Sequence, residues 1–407
     1  MNLLYISDCI PHDGIRHAGG KTVNYYVTSL LENKNFNIKV VGITNEEEWK
    51  TLKKTPSIDY RPVISKGSLI KNLIRCATDC FGICTFRKRY DQSYYKVYHI
   101  LHSLKALQKE KYAPDVIILE WTKMVLMAQS VQSLFPDARL IASEHDVSFQ
   151  GAERRYFQAK GLKRKVLKRK YERLKKRELE ALKLCSIVMP QSEKDKKLLV
   201  QNSVPEQKIF VLTPYYHDMS YIKRENLNHD ILFWGAMYRE ENFQAALWFI
   251  EQVMPLLKDT DVRFIIAGNR PPQELRDRAS DRVLVTGFVE DESELFSHSM
   301  CFVSPLLLGA GIKVKVLEAL SAGIPVLTNQ IGIEGIPAVD GVSYYHCDTA
   351  EQYAEKIISL IDNRKEQDRI AEEARKFMSD TFNLDKAAGN YKKMLFGMQR
   401  TEKTDIQ

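Results

Sequence analysis

The feature that most constrains the fold is an alternation of short apolar segments with longer amphipathic ones, which occurs in two successive sets. The first set opens with the predicted strand Asn2–Ser7 and contains the buried-strand pattern Asp115–Glu120. The second opens with Ile231–Gly235, after a segment at 213–229 that is rich in turn-forming residues and tyrosine. Strands that alternate with helices form parallel sheets covered by helices on both faces. The sequence therefore predicts an α/β protein with two doubly wound domains, whose ligands bind beyond the carboxyl ends of the strands.

The domain bounds follow from this alternation, and a chain of 407 residues is long enough for two domains. We predict a first domain over 1–213, a linker over 214–229, a second domain over 230–382 and a C-terminal helix within 383–407. No apolar run approaches the roughly 18 residues that cross a bilayer, and the first residues lack the basic segment of a secretion signal. These features predict a cytoplasmic protein.

Two patterns that suggest a metal site have simpler interpretations. Cys76, Cys80 and Cys84 lie four residues apart, but no fourth ligand follows them, and small apolar side chains on one helix face explain the spacing. The DTD sequence at 259–261 precedes an apolar strand rather than following one, so we interpret it as a turn. We therefore predict no metal ion and no cofactor.

Positive charge is concentrated in one segment. The net charge of the chain is +8, and residues 160–183 contain 12 Lys/Arg and 3 Asp/Glu. This segment is predicted to be a helix with an apolar stripe from Leu167 to Leu182, and Tyr171 is its only aromatic residue, which argues against nucleic acid as a partner. The alternatives are a solvated helix that packs one face on its domain, or attraction to anionic lipid headgroups. Segment 67–90, an apolar stretch with basic ends, also resembles an interfacial helix.

The second domain contains charged residues where a helix should begin. The stretch 308–326 reads LGAGIKVKVLEALSAGIPV, and its spacing predicts a helix over Gly311–Ala322. A helix amino end presents free N–H groups and partial positive charge, and Gly309 allows an anion to approach the backbone. Lys315 and Glu318 lie on one helix face, an arrangement that suits a diphosphate joined to a ribose. The alternative is a solvated Lys–Glu pair with little energetic effect.

The segment GAGIKVKVLEALSAGIPVLTNQIGIEGI resembles the donor-site segment of retaining GT-B glycosyltransferases of the family-4 type, also called glycosyl transferases group 1. The shared pattern is a Gly-rich turn, a Lys, a Glu, a Gly-x-Pro-Val turn and an xxGxEG loop. The resemblance implies the GT-B architecture, in which two Rossmann-like domains face each other across a cleft. It also implies that the C-terminal helix crosses back to the first domain.

The resemblance also implies roles for individual residues. Lys315 is expected to bind the donor diphosphate and Glu318 the ribose hydroxyls. His145, just beyond a first-domain strand, is expected to contact the donor sugar, and these three are the predicted catalytic residues. The other predicted donor-binding residues are Gly19, Gly20, Arg239, Gly287, Phe288, Val289, Gly311, Ile312, Lys313 and Glu334.

The chain departs from the family pattern at three positions. Many members carry a Glu where this chain has Ala310, and an Arg and a Lys where it has Ala236 and Glu241. Arg239 and Lys313 are the nearby cations that would compensate. The motif therefore does not identify the donor.

The function implied is that of a glycosyltransferase of the hexosyltransferase type, retaining and metal-independent. It would transfer a sugar from a UDP- or GDP-linked donor to a saccharide or lipid-linked saccharide, in polysaccharide or glycoconjugate synthesis. The expected location is cytoplasmic, with peripheral contact to the inner face of the membrane. A sugar-nucleotide epimerase or phosphorylase on the same fold and a non-catalytic nucleotide-sugar-binding protein remain alternatives. The acceptor, the linkage and the oligomeric state are not determined by the sequence.

Overall fold

The computed structural model of the protein describes residues 1–32, 35–66 and 90–400. The cysteines at 76, 80 and 84 and the predicted interfacial segment 67–90, except for its last residue, lie outside the described residues. Two compact units make up the chain. Unit 1 consists of Met1–Tyr215 together with Leu384–Gln407, and unit 2 of Tyr216–Asn383.

Unit 1 is built on a six-stranded sheet. Its strands are β1 (Asn2–Ser7), β2 (Asn37–Asn45), β3 (Ile58–Lys66), β4 (Val116–Glu120), β5 (Arg139–Glu144) and β6 (Ile187–Pro190). All neighbouring strands are parallel, in the order β3-β2-β1-β4-β5-β6. The order reverses between β1 and β4, so the expected ligand position is beyond the carboxyl ends of these two strands.

The described helices of unit 1 connect and cover these strands. They are α1 (Ala18–Leu31), α2 (Glu46–Thr51), α3 (Tyr94–Lys109), α4 (Thr122–Val125), α5 (Ala128–Leu134), α6 (Ser148–Gln158), α7 (Gly161–Leu184), α8 (Glu193–Gln201) and, numbered last because it ends the chain, α15 (Leu384–Arg400). A single 3₁₀ turn at Glu206–Lys208 follows α8.

Both faces of the unit 1 sheet are buried. Leu4 and Ile6 of β1 belong to one hydrophobic cluster, whereas Leu3 and Tyr5 belong to another, and all four are fully buried. Successive side chains of a strand point to opposite faces, so a strand covered on both faces must be apolar at nearly every position. This explains the continuous apolar runs in the sequence.

The C-terminal helix α15 packs on unit 1. The hydroxyl groups of Tyr391 and Tyr5 are hydrogen-bonded at 2.8 Å within the second of these clusters. Arg139, at the start of β5, donates to the carbonyl oxygen of Met398 at 2.6 Å. The helix is therefore part of the core of unit 1, although it follows unit 2 in sequence.

Unit 2 repeats the same topology. Its strands are β7 (Asn228–Trp234), β8 (Arg263–Ala267), β9 (Val283–Gly287), β10 (Ser299–Ser304), β11 (Val326–Thr328) and β12 (Tyr345–His346). All pairs are parallel, in the order β9-β8-β7-β10-β11-β12. The order reverses between β7 and β10, which places the expected ligand position beyond these strands.

Six helices belong to unit 2. They are α9 (Glu240–Trp248), α10 (Gln273–Arg276), α11 (Ser293–His298), α12 (Val314–Ala322), α13 (Ala350–Leu360) and α14 (Arg364–Thr381). The first of them continues into a π-helical turn at Phe249–Val253 and a 3₁₀ turn at Met254–Leu257. The predicted α/β architecture with two doubly wound sheets is confirmed.

The prediction for the start of α12 is wrong by three residues. The helix begins at Val314 rather than at Gly311, because Gly311 has a φ of +69° and Lys313 is extended. Lys315 therefore lies in the first turn of the helix, not one turn into it.

The basic segment forms the helix α7 and packs one face on unit 1. Leu174 and Leu182 of the predicted apolar stripe are buried, and Leu167 and Tyr171 are half-buried. Within the described residues, no helix combines the length and the apolar content that a membrane crossing requires.

Candidate functional site

Three glycines meet at the carboxyl edge of the unit 2 sheet. Gly235 follows β7, Gly268 follows β8 and Gly287 ends β9. The N–H of Gly268 donates to the carbonyl oxygen of Gly287 at 2.8 Å. A Cβ atom on Gly268 would lie 1.6 Å from the carbonyl oxygen of Gly235, so the two backbones are in direct contact. This edge of the sheet is therefore held by a close approach that only glycine permits.

Lys315 connects α12 to the first turn of α9. Its Nζ atom donates a hydrogen bond to Oδ1 of Asn242 at 2.6 Å and lies 4.5 Å from the centre of the Phe233 ring. The other end of the Asn242 amide donates to the carbonyl oxygen of Ala236 at 2.9 Å. Asn242 thus joins the ammonium group to the backbone at the switch point between β7 and β10.

The environment of Lys315 makes its charge sensitive to pH near neutrality. Removal from solvent lowers the pKa of the ammonium to about 7, and the positive charges of Lys313 and Arg239 contribute to the decrease. Glu241 and Glu318 act in the opposite direction, but their effect is smaller. Desolvation disfavours the charged form of a lysine, so an anionic ligand at this position would stabilise the ammonium.

Lys313 organises the loop between β10 and α12. Its Nζ atom donates to the carbonyl oxygen of Gly311 at 2.5 Å and lies 3.8 Å from a carboxylate oxygen of Glu334. Both of these charged side chains are nearly buried. A Cβ atom on Gly309 would lie 3.1 Å from the Lys313 side chain. Lys313 and Glu334 therefore form an internal ion pair that supports the loop.

The amino end of α12 is suited to an anion. The residue before the helix, Lys313, makes no side-chain capping hydrogen bond, and the first turn contains no acidic residue. The first N–H groups of a helix lack partners within the helix and carry partial positive charge. The Lys315 side chain begins in this turn and adds a full charge at pH values below its pKa.

Glu318 is buried on the next turn of α12, with 8% of its surface exposed. Its Oε1 atom accepts a long hydrogen bond of 3.4 Å from the N–H of His217, and the His217 ring lies 3.4 Å from Glu292. Arg239, which was predicted to compensate for the missing cations, forms an ion pair with Glu241. Glu241, one of the three departures from the family pattern, therefore pairs with the cation that was expected to compensate for them.

The loop after β9 presents a large aromatic side chain. Gly287 has a φ of +74°, and Phe288, which follows it, is 59% exposed. Val289 is half-buried. A large exposed ring at the carboxyl edge of a sheet can stack on a flat ligand.

In unit 1, His145 is held on three sides just beyond β5. Its Nε2 atom lies 2.9 Å from a carboxylate oxygen of Glu120, and its Nδ1 atom lies 3.0 Å from the amide nitrogen of Gln191. The ring stacks on that of Trp121, with centres 4.3 Å apart. Because an amide nitrogen donates, Nδ1 accepts and Nε2 carries the proton, so this arrangement selects the neutral tautomer.

Gly19, the first of two glycines at the start of α1, lies against this group. A Cβ atom on Gly19 would lie 2.9 Å from the Trp121 ring and 3.3 Å from Nδ1 of His145. A Cβ atom on Gly20 would lie 2.1 Å from the side chain of Ile15. His17 caps the helix by accepting from the N–H of Gly20 at 3.0 Å. A glycine at position 19 therefore gives α1 room where it approaches the residues that follow β4 and β5.

The predicted residues form two groups, one in each unit. The first contains His145, Gly19 and Gly20, and the second contains the others. Sequence reasoning missed Asn242, Trp121, Glu120 and Gln191. Trp121 and Gln191 directly follow strands, and that position is a usable signal. Asn242 carries no such signal, because its importance depends on Lys315, which is 73 residues away.

Among the residues that the structure describes, no cluster of three or more His, Cys, Asp or Glu side chains has an arrangement that could hold a metal ion. The DTD sequence lies in the turn between the 3₁₀ segment and β8, where Asp261 pairs with His229 at 2.7 Å.

Comparison with known proteins shows what this fold and the second unit resemble. Residues 228–363 match the family model described as glycosyl transferases group 1. This match covers most of unit 2, including Asn242, Lys315 and Glu318. Together with the two doubly wound sheets, it supports a glycosyltransferase with the GT-B fold.

One relative shares part of the sequence, and two solved structures share the fold. A Klebsiella pneumoniae protein described as an uncharacterized 44.6 kDa protein in the cps region is 26% identical over 184 residues, or 42% of this chain. The match spans 47% of that relative, about half of its length. HepE of Anabaena in complex with UDP has a TM-score of 0.69 at 12% identity, over 98% of this chain and 100% of that one. Sucrose-phosphate synthase of Thermosynechococcus elongatus has a TM-score of 0.71 at 13% identity, with the same coverage.

Proposed function

We propose that this protein transfers a sugar from a nucleotide-diphosphate sugar to a hydroxyl group of a saccharide or a lipid-linked saccharide. The observation that carries the proposal is the position of the Lys315 ammonium, which Asn242 and the Phe233 ring hold at the uncapped amino end of α12. A helix amino end and a cation at a topological switch point are suited to a diphosphate. The family match of unit 2 supports the same assignment.

The donor is proposed to be UDP-linked, with a GDP-linked sugar as the alternative. HepE, which shares the fold, has been solved in complex with UDP and with UDP-glucose. The exposed ring of Phe288 is available to stack on the base, and Glu318 would accept hydrogen bonds from the ribose hydroxyl groups. The relative in the cps region favours a role in the synthesis of a cell-surface polysaccharide.

The chemistry is proposed to proceed with retention of configuration and without a metal ion. The bond between the anomeric carbon and the diphosphate breaks, and Lys315 and the N–H groups of α12 stabilise the negative charge that develops on the leaving oxygen. In metal-dependent transfer, a divalent cation supplies this positive charge. The acceptor hydroxyl attacks the same face, and the departing phosphate oxygen takes its proton.

His145 is proposed to orient the donor sugar rather than to transfer a proton. Both ring nitrogens have partners within unit 1, Glu120 and Gln191. A sugar hydroxyl would therefore replace the amide of Gln191 at Nδ1, while Glu120 keeps the ring in position. This exchange preserves the neutral tautomer.

A ligand screen followed by product analysis tests the proposed function. Thermal unfolding is measured with UDP-, GDP-, ADP- and dTDP-sugars, and one of these donors is expected to raise the melting temperature. A donor at 100 times its Kd adds about 2.7 kcal/mol of stability, which is readily detected. Failure of all four donors to stabilise the protein at millimolar concentration would contradict the proposal.

Incubation of the selected donor with and without a panel of saccharide acceptors separates the remaining activities. Transfer requires an acceptor and releases the nucleoside diphosphate. An altered nucleotide sugar formed without acceptor would identify an epimerase, and a phosphate-dependent sugar phosphate would identify a phosphorylase. Binding without turnover across the panel would identify a non-catalytic protein, consistent with the departures at Ala310, Ala236 and Glu241.

Donor affinity is expected to decrease as the pH rises above about 7. The free protein has a Lys315 pKa of about 7, and a bound diphosphate raises this pKa because it stabilises the ammonium. Above pH 7, binding must therefore take up a proton, and the affinity should decrease by up to about tenfold per pH unit. Below pH 7 it should be constant.

Calorimetric titration with the intact nucleotide sugar between pH 6 and 9 measures this dependence, since its diphosphate has no titrating group in that range. A Lys315→Met variant is the control, and its residual binding should not vary with pH. Donor affinity of the unmodified protein that stays constant up to pH 9 would show that Lys315 does not contact the diphosphate.

A further inference from the structure

The first half of α7 contains no buried side chain. The buried residues of this helix are Leu174, Glu178, Ala181 and Leu182, all in its second half. In the first half, Leu162 is 81% exposed and Val166 is 67% exposed. Exposed apolar side chains that are neighbours, rather than scattered singly, can mark an interaction surface.

These two aliphatic residues lie on one helix face. They are four residues apart, so their side chains are neighbours on consecutive turns. Phe157, near the end of α6, is 61% exposed and lies just before the short connection to α7. The junction of the two helices therefore carries three exposed apolar side chains within ten residues of sequence.

Cations surround these apolar side chains. All seven Lys and Arg residues between positions 160 and 170 are exposed, and the same interval contains no acidic residue. The first acid is Glu172, whose carboxylate lies 3.8 Å from Lys168. Exposed aliphatic side chains among many cations are typical of helices that lie in the interface of an anionic membrane.

The face towards unit 1 is fixed by aromatic packing. Tyr156 of α6 stacks on Tyr171 of α7 with ring centres 6.2 Å apart, and the Tyr171 hydroxyl donates to Glu153 at 2.7 Å. The guanidinium group of Arg164 lies 5.3 Å from the centre of the Tyr156 ring. The basic helix is therefore held in one orientation, and the aliphatic pair lies on its solvent-exposed side.

We propose that Phe157 and residues 160–170, here called the basic tip, bind to an anionic lipid bilayer. The lysines and arginines contact lipid phosphates, and Phe157, Leu162 and Val166 insert between the headgroups. A nucleic acid would use the cations but not the aliphatic side chains. Membrane binding itself does not depend on the proposed function. Only its purpose, which is to bring unit 1 to a lipid-linked acceptor, rests on that proposal.

Co-sedimentation with vesicles tests the basic tip in the full-length protein. Binding to vesicles of phosphatidylglycerol and phosphatidylcholine is expected to be at least about tenfold tighter than binding to phosphatidylcholine alone, and to weaken with added salt. Equal binding to both vesicle types, or no binding to either at low salt, would overturn the proposal.

Three variants assign the effect to named residues. Lys163→Gln/Lys165→Gln/Arg169→Gln and Leu162→Ser/Val166→Ser should each reduce binding about tenfold or more. The matched control Lys53→Gln/Lys105→Gln/Lys109→Gln removes the same charge from other exposed positions of unit 1 and should bind like the unmodified protein. Equal loss in the control and in the tip variants would show that only net charge matters and would contradict the proposal.

Two further measurements separate this proposal from the others. The rise in melting temperature with nucleotide sugar should be the same in every variant, because the basic tip is in unit 1 and Lys315 in unit 2. A variant that loses vesicle binding but keeps the same rise in melting temperature with nucleotide sugar has therefore lost only the membrane-binding surface. The protein is also tested for self-association in the absence of vesicles. If it self-associates and the Leu162→Ser/Val166→Ser variant does not, the surface binds a second copy of the chain and the lipid assignment is overturned.

Discussion

Replacement of Lys315 by methionine is expected to abolish sugar transfer and to weaken donor binding about 100-fold below pH 7. Methionine retains most of the length of the side chain but removes the charge that we propose contacts the diphosphate. The loss should be larger for turnover than for binding, because the negative charge on the leaving group increases in the transition state. Calorimetry measures the affinity, and release of the nucleoside diphosphate measures turnover.

The fold should tolerate this change. Removal of a poorly solvated ammonium costs little when an apolar side chain of similar size replaces it. Lys258→Met, at an exposed position of unit 2, is the matched control and should leave affinity and turnover unchanged. If Lys315→Met turns over at the normal rate, the assignment of donor chemistry to α12 is wrong.

Replacement of Gly268 by alanine should destabilise unit 2 by more than about 3 kcal/mol. The added Cβ atom would lie 1.6 Å from the carbonyl oxygen of Gly235, which is too close for any backbone to tolerate without movement. The φ of +145° adds strain, because side chains rarely adopt it. Thermal unfolding should show a decrease in melting temperature of about 10 °C for the transition of this unit.

The Gly341→Ala variant separates the steric overlap of the added Cβ atom from the backbone strain of a positive φ. Gly341 also has a positive φ, +71°, but no atom lies within 4 Å of the position of its Cβ. This variant should cost only about 1 kcal/mol, from backbone strain alone. Equal destabilisation by the two substitutions would show that the contact between Gly235 and Gly268 is not tight in solution.

The architecture was predictable because it depends on local patterns. Short apolar runs such as Asp115–Glu120 that alternate with helical segments favour strands covered on both faces, and such strands imply parallel sheets. The start of α12 was less predictable. Apolar periodicity continues through Ile312, but the positive φ of Gly311 and the extended Lys313 delay the helix to Val314.

The ion-pair partners of individual charged residues could not be predicted from the sequence. Lys313 and Glu334 were both predicted to bind the donor, and in the structure they pair with each other inside the loop. Arg239 was predicted to compensate for a missing cation, and in the structure it pairs with Glu241, two residues away. The residue types gave no indication of these partners, because ion pairs depend on side-chain direction and not on spacing alone.

Local periodicity was thus sufficient to define two doubly wound sheets and to indicate a charged helix start at the carboxyl edge of the second. Packing decided the rest. It brought Asn242 to the ammonium group of Lys315 and lowered the pKa of that group to about 7. It also left Leu162 and Val166 on the exposed side of the basic helix. The physical reason is that periodicity reflects interactions between residues close in sequence, whereas desolvation and hydrogen bonding depend on segments that meet only in the folded chain.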